Sequence, residues 1–278
     1  MSSKVMKKVN LVIIYAFLIL TTLIVLYPLV YVVSAAFAPG SKIAMLSIVP
    51  FGNGVTLEHF QYLFTNTDYP LWFMNTLIIA VCTTIGTVIT CSLAAYIFSR
   101  FQFYLKKKML MALLVLQIFP SFIGMIAIYV ILYRINGLDT LWGLILVYMA
   151  GNIPYNTWLV KSYIDTVPKS LDEAARIDGA THFKIYRSII MPVIKPIIVF
   201  LSITSFTAPW MDFIFPKMVL RSSKNQTLAL GLFSFVTDKK SEFTVFAAGA
   251  ILIAIPFIIF FVATQKMLIN SLGGAVKE

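Results

Sequence analysis

The chain has 278 residues, of which 60% are hydrophobic and 12% are charged, and its mean hydropathy is +0.90. Soluble domains carry roughly 25% charged residues and about 45–50% apolar residues, so this composition excludes a soluble globular protein and indicates a chain embedded in lipid. The net charge of +11 would suit a nucleic acid only if the basic residues shared one soluble face. They lie between apolar stretches instead, so we predict no nucleic-acid partner.

Apolar stretches recur along the chain at the length that a membrane requires, which is about 20 residues for a helix. In chain order they cover residues 11–33, 73–98, 109–133, 141–160, 197–215 and 243–263. The first is too long for the apolar part of a secretory signal, which has about 7–15 residues. The predicted fold class is therefore an all-α integral membrane protein with six transmembrane helices.

Basic residues favour one side of this predicted arrangement. The N-terminus, the second loop, the fourth loop and the C-terminus together hold fifteen Lys and Arg residues, against seven in the other loops. Since cytoplasmic loops carry an excess of Lys and Arg, both termini are predicted to be cytoplasmic. The fifth loop is the evidence against this orientation, because five of the seven lie there, among them Lys217, Arg221 and Lys224.

The long loop between the fourth and fifth spans contains a short helix with both ends marked. Ser170 and Glu173 have the spacing of a capping box, and Gly179 provides a left-handed stop. Between them, Ala174 and Ala175 would let another backbone come close. About two turns of helix are unstable alone, so this helix is expected to pack either against its own bundle or into a groove of a partner.

A longer pattern continues from this helix. It consists of Glu173-Ala174-Ala175, then Asp178-Gly179-Ala180, and then Phe183, Ile189 and Pro192. The pattern resembles the EAA signature of permease subunits in binding-protein-dependent ABC importers, except that Met191 stands where the family has Leu before the final proline. Residues 209–216 and the tail at 265–277 are similar to the smaller permease of maltose/maltodextrin-type transporters.

The resemblance implies a type I ABC importer permease fold, located in a bacterial-type cell membrane. Residues 1–70 would hold the N-terminal tail, the first transmembrane helix and a long external loop. Residues 71–268 would form the permease core with the EAA coupling loop at 165–192, and residues 269–278 a cytoplasmic tail. The helix in the loop would couple to an ATPase through Ser170, Asp172, Glu173, Ala174, Ala175, Asp178, Gly179 and Ala180.

The partners that the resemblance implies are a second homologous permease subunit, a cytoplasmic ATPase dimer and an extracytoplasmic sugar-binding protein, with membrane lipids around them. The substrate would be a malto-oligosaccharide or a similar oligosaccharide. The sequence contains no G-x-x-x-x-G-K-[ST] phosphate loop. The chain is therefore expected to be no enzyme and to bind no cofactor, with ATP and Mg bound by the partner ATPase.

Polar residues inside the predicted spans suggest a substrate path. Asn152, Asn156 and Trp158 lie in the fourth span and Ser205 in the fifth, and amide, hydroxyl and aromatic groups of this kind recognise sugars. Hydrogen bonding between helices would explain the same residues. Asp212, near the end of the fifth span, is expected to form a structural ion pair with Lys217 or to lie at the interface.

Other functions remain as alternatives. A secondary solute carrier usually has repeated halves and ionisable residues near the midplane, neither of which the sequence shows. A self-contained channel would not explain the marked cytoplasmic helix. A membrane enzyme or a metal site would need clustered ligands, whereas His59 and His182 are far apart in the chain; we predict no catalytic residue and no metal ligand.

Overall fold

The computed structural model describes residues 3–43, 46–118, 121–237 and 242–274, and the side chains of residues 10–43, 46–118, 123–237 and 242–264. Over these residues the secondary structure is helical, without strands. The chain forms two compact units, one from Met1–Tyr69 with Leu232–Ala254 and the other from Pro70–Gly231 with Ile255–Glu278. The side chains of the predicted C-terminal tail lie outside the described residues.

The first unit begins with two helices, α1 (Ser3–Phe37) and α2 (Glu58–Asn66). The most apolar window of α1 is 0% buried within the chain. A helix that is apolar all round needs lipid or another apolar surface to cover it. The loop after α1 is anchored to α2, because Nε2 of His59 donates a hydrogen bond to the carbonyl of Ala38 at 2.8 Å.

The second unit begins with α3, and the remaining elements follow in chain order. They are α3 (Tyr69–Arg100), α4 (Lys106–Leu116), α5 (Ser121–Arg134), α6 (Leu141–Asp165), α7 (Lys169–Ile177), α8 (His182–Ile185), a π-helical turn (Tyr186–Ile190), α9 (Met191–Val193), α10 (Lys195–Met211), α11 (Ile214–Val219), a 3-10 turn (Ser223–Asn225), α12 (Leu228–Thr237) and α13 (Phe243–Gly274).

Three of these helices are long and apolar enough to cross a membrane, at Asn10–Phe37, Tyr69–Arg100 and Phe243–Thr264. They contain the predicted first, second and sixth spans. A fourth span results if His182–Val193 and Lys195–Met211, which are bent by 80°, are counted together. The total of six spans therefore stays a prediction, although α6 covers the fourth predicted span over its whole length.

The third predicted span, residues 109–133, is not a single helix. It corresponds to α4 with 11 residues and α5 with 14, and a turn at Gln117 follows α4. Pro120 lies between the two helices in the sequence, and helices usually end before a proline because its ring crowds the preceding residue. Neither helix alone reaches the about 20 residues that a span requires.

The fifth predicted span also ends earlier than expected. Helix α10 stops at Met211, because Asp212 is extended with φ −82° and ψ 123°. Its carboxylate accepts hydrogen bonds from the Tyr148 hydroxyl at 2.8 Å and from the Phe215 amide at 3.3 Å, so it fixes the start of α11. The predicted ion pair with Lys217 is therefore wrong; Asp212 is half-buried, with a tyrosine as its side-chain partner.

An apolar cluster in the second unit supports the segment between α6 and α10. It is built from α3, α6, α10 and the helical turns between α7 and α10, and its members Cys91, Val160, Ile164, Ile185, Ile190 and Leu201 are all nearly inaccessible to solvent. Ala175 and Ala180 pack against the same cluster. The loop predicted to dock a partner is therefore packed against a buried apolar cluster.

Candidate docking site on the loop between α6 and α10

Helix α7 begins earlier than the sequence predicted. Pro168 occupies the N-cap position with φ −56° and ψ 131°, and no side chain caps the helix. The predicted capping box is therefore wrong, since Ser170 lies inside the first turn and both Ser170 and Glu173 are exposed. The physical reason is that proline already has the φ value of a helix start, so α7 begins at Lys169.

The end of α7 is the one that the sequence predicted. Gly179 has φ +79°, and its amide donates to the carbonyl of Arg176 at 3.0 Å. The next amide, of Ala180, donates to the carbonyl of Ala175 at 2.9 Å. This pair of bonds is the Schellman motif, which requires a left-handed residue at the position of Gly179.

The side chains of α7 divide into an inner and an outer face. Asp172 is buried, whereas Ala175 and Ala180 are half-buried against the core. The other five residues predicted for coupling are exposed: Ser170, Glu173, Ala174, Asp178 and Gly179. Ile177 is 88% exposed, so the outer face of α7 carries a large apolar side chain one turn from the small Ala174. Phe183, on the following helix α8, is 65% exposed.

Arg100, at the end of α3, holds the inner face of α7 in place. Its Nε donates to Oδ2 of Asp172 at 2.8 Å, and the two side chains are only 6% and 12% exposed. Its other nitrogens donate to the carbonyls of Val167 at 3.0 Å and Ile164 at 3.3 Å. One side chain therefore joins α3, the end of α6 and α7.

This role of Arg100 was not predicted from the sequence, in which it was only one of the loop cations. The two partners lie 72 positions apart, so no local pattern connects them. The available signal was on α7, where Asp172 and Ala175 are three positions apart and share one face. A carboxylate on the inner face of a short helix needs a buried cation, because an unpaired buried charge is costly.

A second set of hydrogen bonds, centred on Asp165, joins α3 to the end of α6. Asp165 accepts a hydrogen bond from Ser99 at 2.6 Å and another from Lys161 at 2.6 Å. Burial alone would raise the pKa of Asp165, but the hydrogen bonds from Lys161 and Ser99 outweigh it and lower the pKa below its ordinary value. A carboxyl group whose pKa is lower in the folded chain contributes stability above its unfolded pKa. The hydrogen bonds of Asp165 therefore weaken only as the pH falls through its lowered pKa.

The four residues predicted for a substrate path make mostly internal contacts. Asn156 donates to the carbonyl of Asn152 on the same helix at 2.8 Å, and Trp158 donates to the carbonyl of Leu110 on α4 at 3.1 Å. Ser205 is fully buried, and its hydroxyl has no partner among the described residues. Bonding between and within helices therefore accounts for the side chains of Asn156 and Trp158, and a role of the four residues in a substrate path stays a prediction.

Comparison with known proteins gives a consistent set of relatives. Residues 86–272 match the family described as binding-protein-dependent transport system inner membrane component. The maltodextrin transport system permease protein MdxG of Bacillus subtilis is 39% identical over 98% of both chains. The galactooligosaccharides transport system permease protein GanQ of Bacillus subtilis is 37% identical over 97% of this chain and 96% of its own. The maltose/maltodextrin permease protein MalG of Escherichia coli is 30% identical over 98% and 97%.

Solved structures show the same fold. A chain of a bacterial ABC transporter involved in the import of the acidic polysaccharide alginate matches with a TM-score of 0.80, at 19% identity, over 96% of this chain and 98% of that one. A chain of the MetNI methionine ABC transporter matches with a TM-score of 0.58 over 77% of this chain and 98% of that one. The architecture is therefore that of an ABC importer permease of type I.

Proposed function

As a member of the family of binding-protein-dependent transport system inner membrane components, the chain is a membrane-spanning permease subunit of an ABC importer, and we propose that this importer carries malto-oligosaccharides or a similar oligosaccharide. The predicted orientation places α7 in the cytoplasm. There it would dock on a cytoplasmic ATPase dimer that binds ATP and Mg, while a second homologous permease completes the path and an extracytoplasmic sugar-binding protein delivers the solute.

The observation that carries the coupling role is the division of α7 into two faces. The inner face is fixed to α3 and α6 by Arg100, and the outer face offers Ala174 beside the exposed Ile177. A helix that is held on one side and bare on the other can follow a moving partner as a rigid body. Closure of the ATPase dimer would displace α7, and Arg100 would pass that displacement to the membrane helices.

The substrate class is supported by the names of the relatives. Two of them are described as carrying maltodextrin or maltose and one as carrying galactooligosaccharides, at 30–39% identity. We expect a strain that lacks this chain to lose uptake of labelled maltotriose, and to regain it when the chain is restored. Loss of β-galactotriose uptake with unchanged maltotriose uptake would redirect the substrate to galacto-oligosaccharides.

Docking of the ATPase is tested by crosslinking from the outer face of α7. Both native cysteines, of which Cys82 is exposed and Cys91 is buried, are first replaced, with Cys82→Ser and Cys91→Ala, so that the introduced thiol is the only one in the chain. Ile177→Cys should then crosslink to the ATPase subunit in native membranes, with a yield that changes when ATP is added. Ala175→Cys is the matched control, because its side chain packs against the core of its own bundle.

Absence of crosslinking from Ile177→Cys would contradict the coupling role, provided that a soluble maleimide labels the thiol and the ATPase is present. Equal crosslinking from both positions would also contradict it, because the two faces would then be equivalent. A self-contained channel or a secondary carrier would become the preferred function in either case.

A further inference from the structure

A cavity of about 460 Å³ lies where α3 leads into α4. Its lining includes Lys106, Lys107, Leu110, Met111, Leu114 and Trp158. Residues 107, 110, 111 and 114 follow helical spacing and therefore share one face of α4. The cavity is amphipathic as a result, with ammonium groups at the start of the helix and apolar side chains along about 6 Å of its length.

The polar end of the cavity is crowded with cations. Lys106, Lys107 and Lys108 form the first turn of α4, which contains no acidic residue. Cations are unfavourable at the positive end of a helix dipole. Burial lowers the pKa of Lys106, and the neighbouring ammonium groups of Lys161 and Lys169 lower it further, against the opposing effect of Asp165.

The acids nearby are already engaged. Lys161 pairs with Asp165 at 2.6 Å, and neither Lys106 nor Lys107 has a carboxylate partner among the described side chains. Lys106 donates one hydrogen bond, to the carbonyl of Phe101 at 3.0 Å, and keeps its other two N–H groups. The site therefore has unused donors and uncompensated positive charge.

The apolar end of the cavity continues onto the exposed surface of α4. Met111 is 55% exposed and Leu114 39%, and the next turn is exposed as well, with Leu116 at 60%. Trp158 lies at the boundary, where its indole N–H is bonded to the carbonyl of Leu110 and Lys161 stands 5.7 Å from its ring. Tryptophan beside lysine is typical of the membrane–water interface.

We propose that this cavity binds an anionic phospholipid, with the phosphate on Lys106 and Lys107 and an acyl chain along Leu110, Met111 and Leu114. Basic pockets beside membrane helices recognise anionic head groups in this way. A neutral lipid would leave the positive charge uncompensated, and a free phosphate would leave the apolar groove uncovered. The site is separate from the outer face of α7 and does not depend on which solute is carried.

The test uses the full chain in its assembled complex, reconstituted with equal parts of phosphatidylglycerol and phosphatidylcholine. Each lipid in turn carries a photoreactive acyl chain, and labelling at Leu110, Met111 or Leu114 is counted in the tryptic peptide of residues 109–134. Phosphatidylglycerol should label these residues in clear preference to phosphatidylcholine. Each lysine near an anionic lipid increases the binding constant of that lipid about fivefold, so Lys106→Gln with Lys107→Gln should reduce the preference about 25-fold.

Two variants serve as controls. Lys184→Gln with Arg187→Gln removes the same charge from exposed positions elsewhere and should keep the preference. Lys106→Arg with Lys107→Arg retains the charge at the site and should keep it too, which separates a lost ligand contact from a misfolded complex.

Three results would overturn the proposal. Equal labelling by the two lipids would show that the cavity does not recognise the charge of the head group. Displacement of the lipid by excess soluble glycerol 3-phosphate would assign the site to a free phosphate. Labelling that occurs only after the ATPase subunits are removed would mean that the partner protein covers this groove in the complex.

Discussion

Arg100 serves three acceptors outside α3 with one side chain, and this is possible because a guanidinium is planar and has five donors. A lysine at the same position could not reach Asp172 and both carbonyls together. The second carboxylate oxygen of Asp172 is buried and has no partner among the described residues. Arg100 is therefore the group that compensates the buried negative charge of Asp172.

We expect Arg100→Gln to destabilise the chain by about 3–5 kcal/mol, because a buried carboxylate would be left without its cation. The double variant Arg100→Gln with Asp172→Asn should recover part of this loss, since no buried charge remains. Unfolding in mixed detergent micelles measures both. If the double variant were as unstable as the sum of the two single variants, the pair would not act as a unit.

A glycine is needed at position 179 because of the backbone conformation, and not because a side chain there would meet other atoms. Its φ is +79°, yet a Cβ added there would meet no atom within 4 Å. Gly179→Val should therefore fold and insert normally, while the left-handed conformation costs it about 1–2 kcal/mol. The end of α7 would then be displaced, and sugar-stimulated ATPase activity and uptake should both fall.

Gly179→Asn is the matched control for this prediction, because asparagine enters the left-handed region more easily than other residues. It should retain most of the coupling. Normal uptake by the valine variant would show that the end of α7 does not need this geometry.

At the scale of an element, α7 shows what the sequence could and could not predict. Its end was predicted correctly, because a glycine stop depends on residues within one turn of each other. Its start was not, because Ser170 and Pro168 both satisfy local rules and the choice depends on packing. The inner face could not be predicted from the sequence of α7, because its partner Arg100 lies on another helix.

The two alanines of α7 should respond differently to enlargement. Ala174 is exposed and Ala175 packs on the core, so Ala174→Trp should leave the stability of the chain unchanged and prevent co-purification of the ATPase. Ala175→Trp should lower the stability by about 1–3 kcal/mol through overpacking. Thermal unfolding and pull-down of the ATPase distinguish the two. Identical behaviour would contradict the assignment of faces.

At the scale of the whole molecule, composition predicted the membrane and periodicity predicted helices, but not where the helices break. The third predicted span was read as continuous because its apolar residues are continuous, whereas the structure has α4 and α5 there. The lipid-facing surface and the buried surface of a membrane helix are both apolar, so hydropathy cannot tell which face packs. The inner and outer residues of the loop between α6 and α10 can be told apart only from the fold.

The position of the ionisable groups in the whole molecule predicts which energy source drives transport. Ion-coupled carriers keep ionisable groups near the midplane, but Asp212 lies at the end of α10 and is bonded to Tyr148. Uptake should therefore continue when a protonophore collapses the proton gradient while ATP is maintained, and it should stop when ATP is depleted. Asp212→Asn can still accept from the Phe215 amide through its one oxygen and donate to the Tyr148 hydroxyl through its NH2 group, so uptake should stay close to that of the unchanged chain. Uptake that follows the proton gradient, and that fails in the asparagine variant, would assign the chain to the secondary carriers instead.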